Sequence, residues 1–103
     1  METKEKVFFT GYSKLAKRPG DLYVKRNNNC WHINAGVNSM GHDPGFGVTF
    51  DIVDGTPESK KFEEFFKKTT EIQKFLVNEL GETQQSCNKV FEEIWNYIQP
   101  KNT

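Results

Sequence analysis

Both histidines of the chain, His32 and His42, lie within residues 27–55, a segment that contains three aspartates and no lysine or arginine. The strand pairing derived below places His32 opposite Asp51, and a histidine held by a carboxylate is an arrangement used in general-base catalysis. No nucleophile in a recognisable setting accompanies the pair, so a cross-strand contact with a structural role is the more economical interpretation. His32 and Asp51 therefore remain candidate catalytic residues of a small enzyme, although we favour a protein that is not an enzyme.

The glycine-rich loop at residues 38–45 is the second place where chemistry is possible. Its glycines let backbone amides approach an anion closely. However, the loop joins two predicted strands and matches neither the phosphate-loop nor the dinucleotide-binding pattern. His42 and Asp43 are metal-ligating residue types, yet no third ligand stands at a suitable spacing, so we predict no metal site and no cofactor. We expect Asn38, Ser39, His42 and Asp43 to form a loop that contributes to specificity for a partner.

The first half of the chain alternates apolar and polar residues with the period of a β-strand. In the predicted third strand, apolar Trp31 and Ile33 flank His32, which indicates a sheet with one buried and one wetter face. An asparagine run at 27–29 suits a tight turn, because asparagine tolerates the left-handed conformation. The pattern predicts a mainly antiparallel sheet of four strands within residues 6–53, at 6–15, 21–26, 30–37 and 46–53.

Apolar residues in the second half recur at three- and four-residue steps, which is the spacing of amphipathic helices. Pro57 suits the first position of a helix, and Gly81 suits a helix end. We predict two helices, at residues 57–80 and 83–99, both packed on one face of the sheet. The chain is then a single domain, a two-layer α+β sandwich, whose second sheet face is left uncovered.

The residues on the uncovered face follow from the strand pairing. A hairpin around residues 38–45 places His32 opposite Asp51, and it places Asn34 opposite Thr49 in the same way. A two-residue turn in the asparagine run adds the outward residues of the second strand, and we take Val7 and Phe9 of the first strand as inward. The predicted open face then consists of Phe8, Thr10, Tyr12, Lys14, Tyr23, Lys25, His32, Asn34, Thr49 and Asp51.

Rings, amides and positive side chains on an open sheet face are what a nucleobase-stacking platform uses, since every base offers a π-face. Our leading hypothesis is a small binding module for a nucleic acid or a nucleotide-like ligand. The alternative is a protein-interaction factor, an inhibitor or adaptor, that acts as a homodimer or on a larger protein. The predicted ligand-binding residues are Tyr12, Lys14, Tyr23, Lys25, His32, Asn34, Thr49 and Asp51, with Lys17, Arg18 and Arg26 as further sources of positive charge.

The amino-acid composition excludes two further classes of function. The 103 residues contain 14 Lys plus Arg and 14 Asp plus Glu, a balance that excludes an acidic DNA mimic and a protein relying on bulk positive charge. The charge is unevenly placed, with a net +4 over residues 1–26 and −3 over residues 27–56. The charged N-terminus and the lack of a long apolar run predict a soluble, cytoplasmic protein without a membrane partner. Cys30 and Cys87 are expected to be reduced thiols, and Cys87 lies on the predicted core side of its helix.

Overall fold

Four antiparallel strands form a single sheet in a computed structural model that describes residues 5–37 and 47–99. The spatial order of the strands is the chain order, β1-β2-β3-β4, so each strand pairs with its sequence neighbour. The predicted antiparallel sheet followed by helices is confirmed. The strands are β1 Glu5–Ser13, β2 Arg18–Asn27, β3 Cys30–Val37 and β4 Gly47–Val53.

The turns on either side of β2 explain its length. Asn27 pairs with Cys30 across a two-residue turn, and Asn28 in that turn has a φ of 37°, as expected for asparagine. At the other end, the Ser13 hydroxyl accepts the Ala16 N–H at 3.0 Å and closes a turn over residues 14–17. β2 therefore begins at Arg18 rather than at the predicted residue 21.

The helical half of the chain has four segments. The segments are α1 Pro57–Lys60, α2 Phe62–Lys68, α3 Thr70–Glu79 and α4 Gln84–Ile98. The prediction of one continuous helix over 57–80 was wrong, whereas α4 occupies the predicted 83–99 segment. Thr83 caps α4, since its side chain accepts the Ser86 N–H at 3.1 Å, a contact that satisfies one otherwise unpaired helix donor.

Two residues interrupt the predicted first helix. Lys61 is extended, with φ −123° and ψ 129°; its N–H donates to the Pro57 carbonyl and closes α1. Thr69 separates α2 from α3, and its hydroxyl donates to the Phe66 carbonyl at 2.7 Å. The Gln73 amide donates to the Thr69 hydroxyl at 2.6 Å, so the break is held by buried hydrogen bonds that helical periodicity does not encode.

The helices cover one face of the sheet and bury the core against it. Leu22, Val24 and Ile33 of the sheet are fully buried there. At the end of α3, a Cβ placed on Gly11 would stand 2.6 Å from the Leu80 carbonyl oxygen, so Leu80 can approach β1 only because residue 11 is glycine. The helical contribution to the core is Phe65, Ile72, Leu76, Cys87, Phe91, Ile94 and Ile98. No helix in the described part of the chain is long and apolar enough to cross a membrane.

Candidate functional site

The open face of the sheet carries the predicted ligand-binding residues in rows that run across the strands. Lys25, His32 and Asp51 form one row, because Lys25 lies opposite His32 and His32 opposite Asp51. Tyr23 lies opposite Asn34, and Asn34 lies opposite Thr49 in the adjacent row. The predicted register of β2, β3 and β4 is therefore confirmed, and six of the eight predicted ligand-binding residues lie side by side.

The first strand departs from its predicted orientation because of a β-bulge between Val7 and Phe9. A bulge adds one residue to a strand and reverses the side on which the preceding residues lie. Val7 consequently lies opposite Tyr23 on the open face with 47% of its surface exposed, where an inward side chain was predicted. Phe8, predicted to be outward, instead packs edge-on against Tyr97 of α4 with ring centroids 5.4 Å apart.

Beyond the bulge, β1 follows the predicted pattern. Tyr12 lies opposite Pro19, shares the open face with Tyr23 and is 57% exposed. Lys14 is not on the strand, because it is the first residue of the β1–β2 turn. It therefore lies at the end of the open face, in the same turn as Lys17.

His32 bonds through both of its ring nitrogens. Nδ1 lies 2.7 Å from Asp51 Oδ1, and Nε2 lies 3.0 Å from the Thr49 hydroxyl oxygen. The Thr49 hydroxyl also donates its single proton to the Ile33 carbonyl at 3.0 Å. Both ring nitrogens are therefore engaged by side chains of β4, and neither can contact a substrate unless one of these hydrogen bonds is broken.

Cys30 shares the open face with His32 but is a poor nucleophile. Burial raises the pKa of the Cys30 thiol, the nearby Asp51 carboxylate raises it further, and the Arg26 guanidinium opposes this rise only in part. The thiol consequently stays protonated at neutral pH, and the thiolate is the reactive species. Together with the doubly bonded His32 ring, this favours a structural role for the His32–Asp51 pair.

The open face carries charged side chains of both signs, at different positions along the strands. Burial raises the pKa of Tyr23, and the carboxylates of Glu5 and Asp21 raise it further. The Glu5 and Asp21 carboxylates therefore lie close enough to Tyr23 to disfavour a phosphate group at that ring. Positive charge is concentrated at the end formed by the β1–β2 turn, where Lys14 and Lys17 are exposed.

Arg26 does not contribute to the open face as expected. It lies opposite Trp31, on the helix side of the sheet, and its guanidinium is 5.2 Å from the centre of a Trp31 ring. Two of its N–H groups donate to the Asp54 carboxylate at 3.0 and 2.6 Å. The hydrogen bonds from Arg26 hold the pKa of Asp54 below its ordinary value.

A cleft of about 600 Å³ on that side of the molecule was not predicted. Its lining includes Arg26 and Trp31 from the sheet and Tyr97 from α4. Val24 and Arg26 are two residues apart on β2 and therefore lie on the same face of the sheet. The side of the sheet on which Arg26 lies could thus be inferred from the sequence. Where the end of α4 lies relative to the sheet cannot be read from the sequence, and the cleft depends on it.

The predicted loop residues Asn38, Ser39, His42 and Asp43 lie outside the described residues. Within the described ranges, no three His, Cys, Asp or Glu side chains are grouped so that they could hold a metal ion. Both cysteines are free thiols. Comparisons with protein-family models, curated proteins and solved structures found no match to this chain.

Proposed function

We propose that the protein is a small non-enzymatic binding module that holds a short stretch of single-stranded nucleic acid, or a nucleotide-like ligand, on its open sheet face. One observation supports this proposal above the others. Tyr12, the most exposed ring on that face, precedes a turn that contains Lys14 and Lys17. A base stacked on the ring would have its phosphate next to these two lysines.

The rest of the face supports a short contact. Stacking of a base on an aromatic side chain contributes roughly 1–3 kcal/mol, and Tyr23 offers a second ring two rows from Tyr12. The amide of Asn34 can read the edge of a base placed there. Because the Glu5 and Asp21 carboxylates lie near Tyr23, we expect only about two phosphates to be neutralised, at the turn that contains Lys14 and Lys17, which predicts a slope of log K against log salt of about −1.4.

The experiment is fluorescence anisotropy of a labelled short oligothymidylate titrated with the full chain at low salt. We expect Tyr12→Ala to weaken binding about tenfold, since it removes one stacking contact, and Tyr12→Phe to retain it. Lys14→Gln combined with Lys17→Gln is expected to weaken binding and to flatten the salt dependence.

The matched control is Lys67→Gln combined with Lys68→Gln, which removes the same charge from exposed positions of α2. The control is expected to bind like the unmodified protein. Equal loss in the control pair and in the turn pair, or unchanged affinity in Tyr12→Ala, would contradict the proposal.

A homodimer that uses the same face is the second candidate. Exposed Val7 and Tyr12 supply apolar surface on the face, and the face has the basic β1–β2 turn at one end and Glu5 of β1 at the other. A two-fold axis between two facing sheets and perpendicular to the strands would bring the basic turn of one copy over Glu5 of the other. Aromatic residues with a charged rim are typical of such interfaces.

Sedimentation velocity over a range of protein concentrations tests the dimer. This candidate predicts a concentration-dependent dimer that Val7→Lys dissociates, because the substitution places a charge in the apolar part of the interface. High salt should weaken the dimer, since it screens the attraction between the two ends. A monomer at every concentration would remove this candidate and leave the open face available to a nucleic acid.

A further inference from the structure

The cleft on the helix side of the sheet has the size and lining of a small-molecule site. It opens between the ends of β2, β3 and β4, the short helix α1 and the last turn of α4, with a volume of about 600 Å³. This volume is in the range of small-molecule sites, which is roughly 300–1,000 Å³. Nearly buried Trp31, Ile52 and Ile98 line its apolar part, and Arg26, Asp54 and Lys60 supply charge.

The charges in the cleft do not cancel. Arg26 and Asp54 neutralise each other through a pair of parallel hydrogen bonds at 3.0 and 2.6 Å, a geometry that also fixes the guanidinium over Trp31. Lys60 has no ion pair or side-chain hydrogen bond with any described residue. Among the described residues that line the cleft, one positive charge is therefore left without an ion-pair partner, beside an apolar, aromatic floor.

We propose that this cleft binds a small aromatic acid, meaning a ring that carries a single carboxylate or phosphate group. The ring would lie against Trp31 and Tyr97, whose centroids are 5.6 Å apart with planes tilted by 58°. The anionic group would meet the ammonium group of Lys60. A neutral ring would lack the attraction to Lys60, and an anion without a ring would lack the contact with the rings of Trp31 and Tyr97.

The proposal is independent of the function assigned to the open face. The cleft and the open face are on opposite sides of β2 and β3, and they share no side chain. Loss of oligonucleotide binding in Tyr12→Ala would leave the cleft unchanged, so the two proposals fail separately.

The test is a titration of the full chain with phenylacetate, followed by amide and indole NMR signals. We expect saturable shifts of the Trp31 indole N–H and of the Gly55 and Ser59 amides, all of which line the cleft. Phenylacetamide has the same ring without the charge, and it is expected to bind about threefold more weakly because the attraction to exposed Lys60 is lost. Phenyl phosphate tests the other anionic group, and saturable binding of either acid supports the proposal.

Two neighbouring lysines provide a matched pair of variants. Lys60 lines the cleft, whereas exposed Lys61 does not. Lys60→Gln is expected to weaken phenylacetate binding about threefold, and Lys61→Gln is expected to leave it unchanged. Both positions are on the surface, and the same NMR spectra report whether each variant is folded.

Three results would overturn the proposal. The first is no saturable shift for either acid up to about 10 mM, because even weak fragments bind in that range. The second is equal binding of phenylacetamide and phenylacetate, which would remove the role of the charge. The third is an equal loss in Lys60→Gln and Lys61→Gln, which would place the effect outside the cleft.

Discussion

His32 and Asp51 lie directly opposite each other on β3 and β4, with Nδ1 and Oδ1 joined by a 2.7 Å hydrogen bond. The second ring nitrogen contacts Thr49 on the same strand as Asp51. The ring is thus held at both nitrogens by β4, an arrangement that ties the edge strand of the sheet to its neighbour. A catalytic base needs one nitrogen to be available to substrate, so this geometry favours a contact that stabilises the sheet.

A double-mutant cycle measures that contact. His32→Gln and Asp51→Asn are each expected to lower the free energy of unfolding by about 1 kcal/mol or less, with a coupling of about 0.5 kcal/mol, as for other exposed cross-strand pairs. The side chains are 29% and 51% exposed, so solvent screens the pair. Urea unfolding of the four proteins gives the coupling, and a coupling of zero would show that the pair does not stabilise the sheet.

Substitution of two paired glycines should have unequal effects on stability. Gly11 and Gly20 lie opposite each other on β1 and β2. A Cβ at Gly11 would meet the Leu80 carbonyl oxygen at 2.6 Å, whereas a Cβ at Gly20 would first meet a Leu80 methyl group at 2.7 Å. Backbone cannot move as easily as a side-chain end, so we expect Gly11→Ala to cost about 2 kcal/mol and Gly20→Ala to cost less.

Thermal or urea unfolding of both variants checks this order. Gly55→Ala is not a suitable control, because its φ of 88° is strained for alanine whatever space surrounds it. Equal destabilisation by Gly11→Ala and Gly20→Ala would mean that the end of α3 is not positioned by this contact.

The Arg26–Asp54 pair should contribute to stability only above acidic pH. Hydrogen bonds from Arg26 lower the pKa of Asp54 in the folded protein from the ordinary value of 3.8. A carboxylate with a lowered folded-state pKa stabilises the fold above its unfolded-state pKa, and this contribution is lost as the pH falls through the folded-state value. Because the Asp54 side chain is 52% exposed, the contribution is at most about 1 kcal/mol.

Asp54→Asn provides the comparison for this prediction. Urea unfolding should find the unmodified protein more stable than the variant at about pH 7 and the two equally stable well below pH 3.8, where Asp54 is protonated. A difference that is the same at both pH values would show that the charge on Asp54 does not cause it.

The two thiols should react at different rates in the folded protein. Burial raises the pKa of Cys87 from 9.0 to about 11, with a further rise from Glu82, so its thiolate is about a hundredfold scarcer than that of an ordinary cysteine. Cys30 is only half-buried and should react first with a thiol reagent. In a Cys30→Ser variant, labelling of Cys87 should follow unfolding by urea, and rapid labelling without urea would contradict the buried position of Cys87.

The pairing of β2, β3 and β4 could be predicted because the apolar alternation around Trp31 and Ile33 defines the buried face, and a hairpin around residues 38–45 then sets the register of β3 and β4. The two-residue asparagine turn in the same way sets the register of β2 against β3. The orientation of β1 could not be predicted in the same way. Val7, Phe8 and Phe9 are all apolar, so alternation does not reveal which residue the bulge adds.

The break at Thr69 and the cleft depend on tertiary contacts. The apolar spacing continues in step from Phe65 through Thr69 to Ile72, and a threonine on the buried side of a helix does not by itself predict an interruption. The break is stabilised by the hydrogen bond from the Thr69 hydroxyl to the Phe66 carbonyl and by the one from the Gln73 amide to the Thr69 hydroxyl. The side of the sheet on which Arg26 lies could be predicted from alternation. Its pairing with Asp54 could not, because Asp54 lies in the turn that directly follows β4.

The most direct test of the proposed function is an amide NMR map of the full chain titrated with a short unlabelled oligothymidylate. We expect the largest shifts on the open face, at Tyr12, Tyr23 and Asn34, and unchanged signals from Gly55 and Ser59 in the cleft. No saturable shift at about millimolar oligonucleotide, or shifts confined to the helices or the cleft, would contradict it.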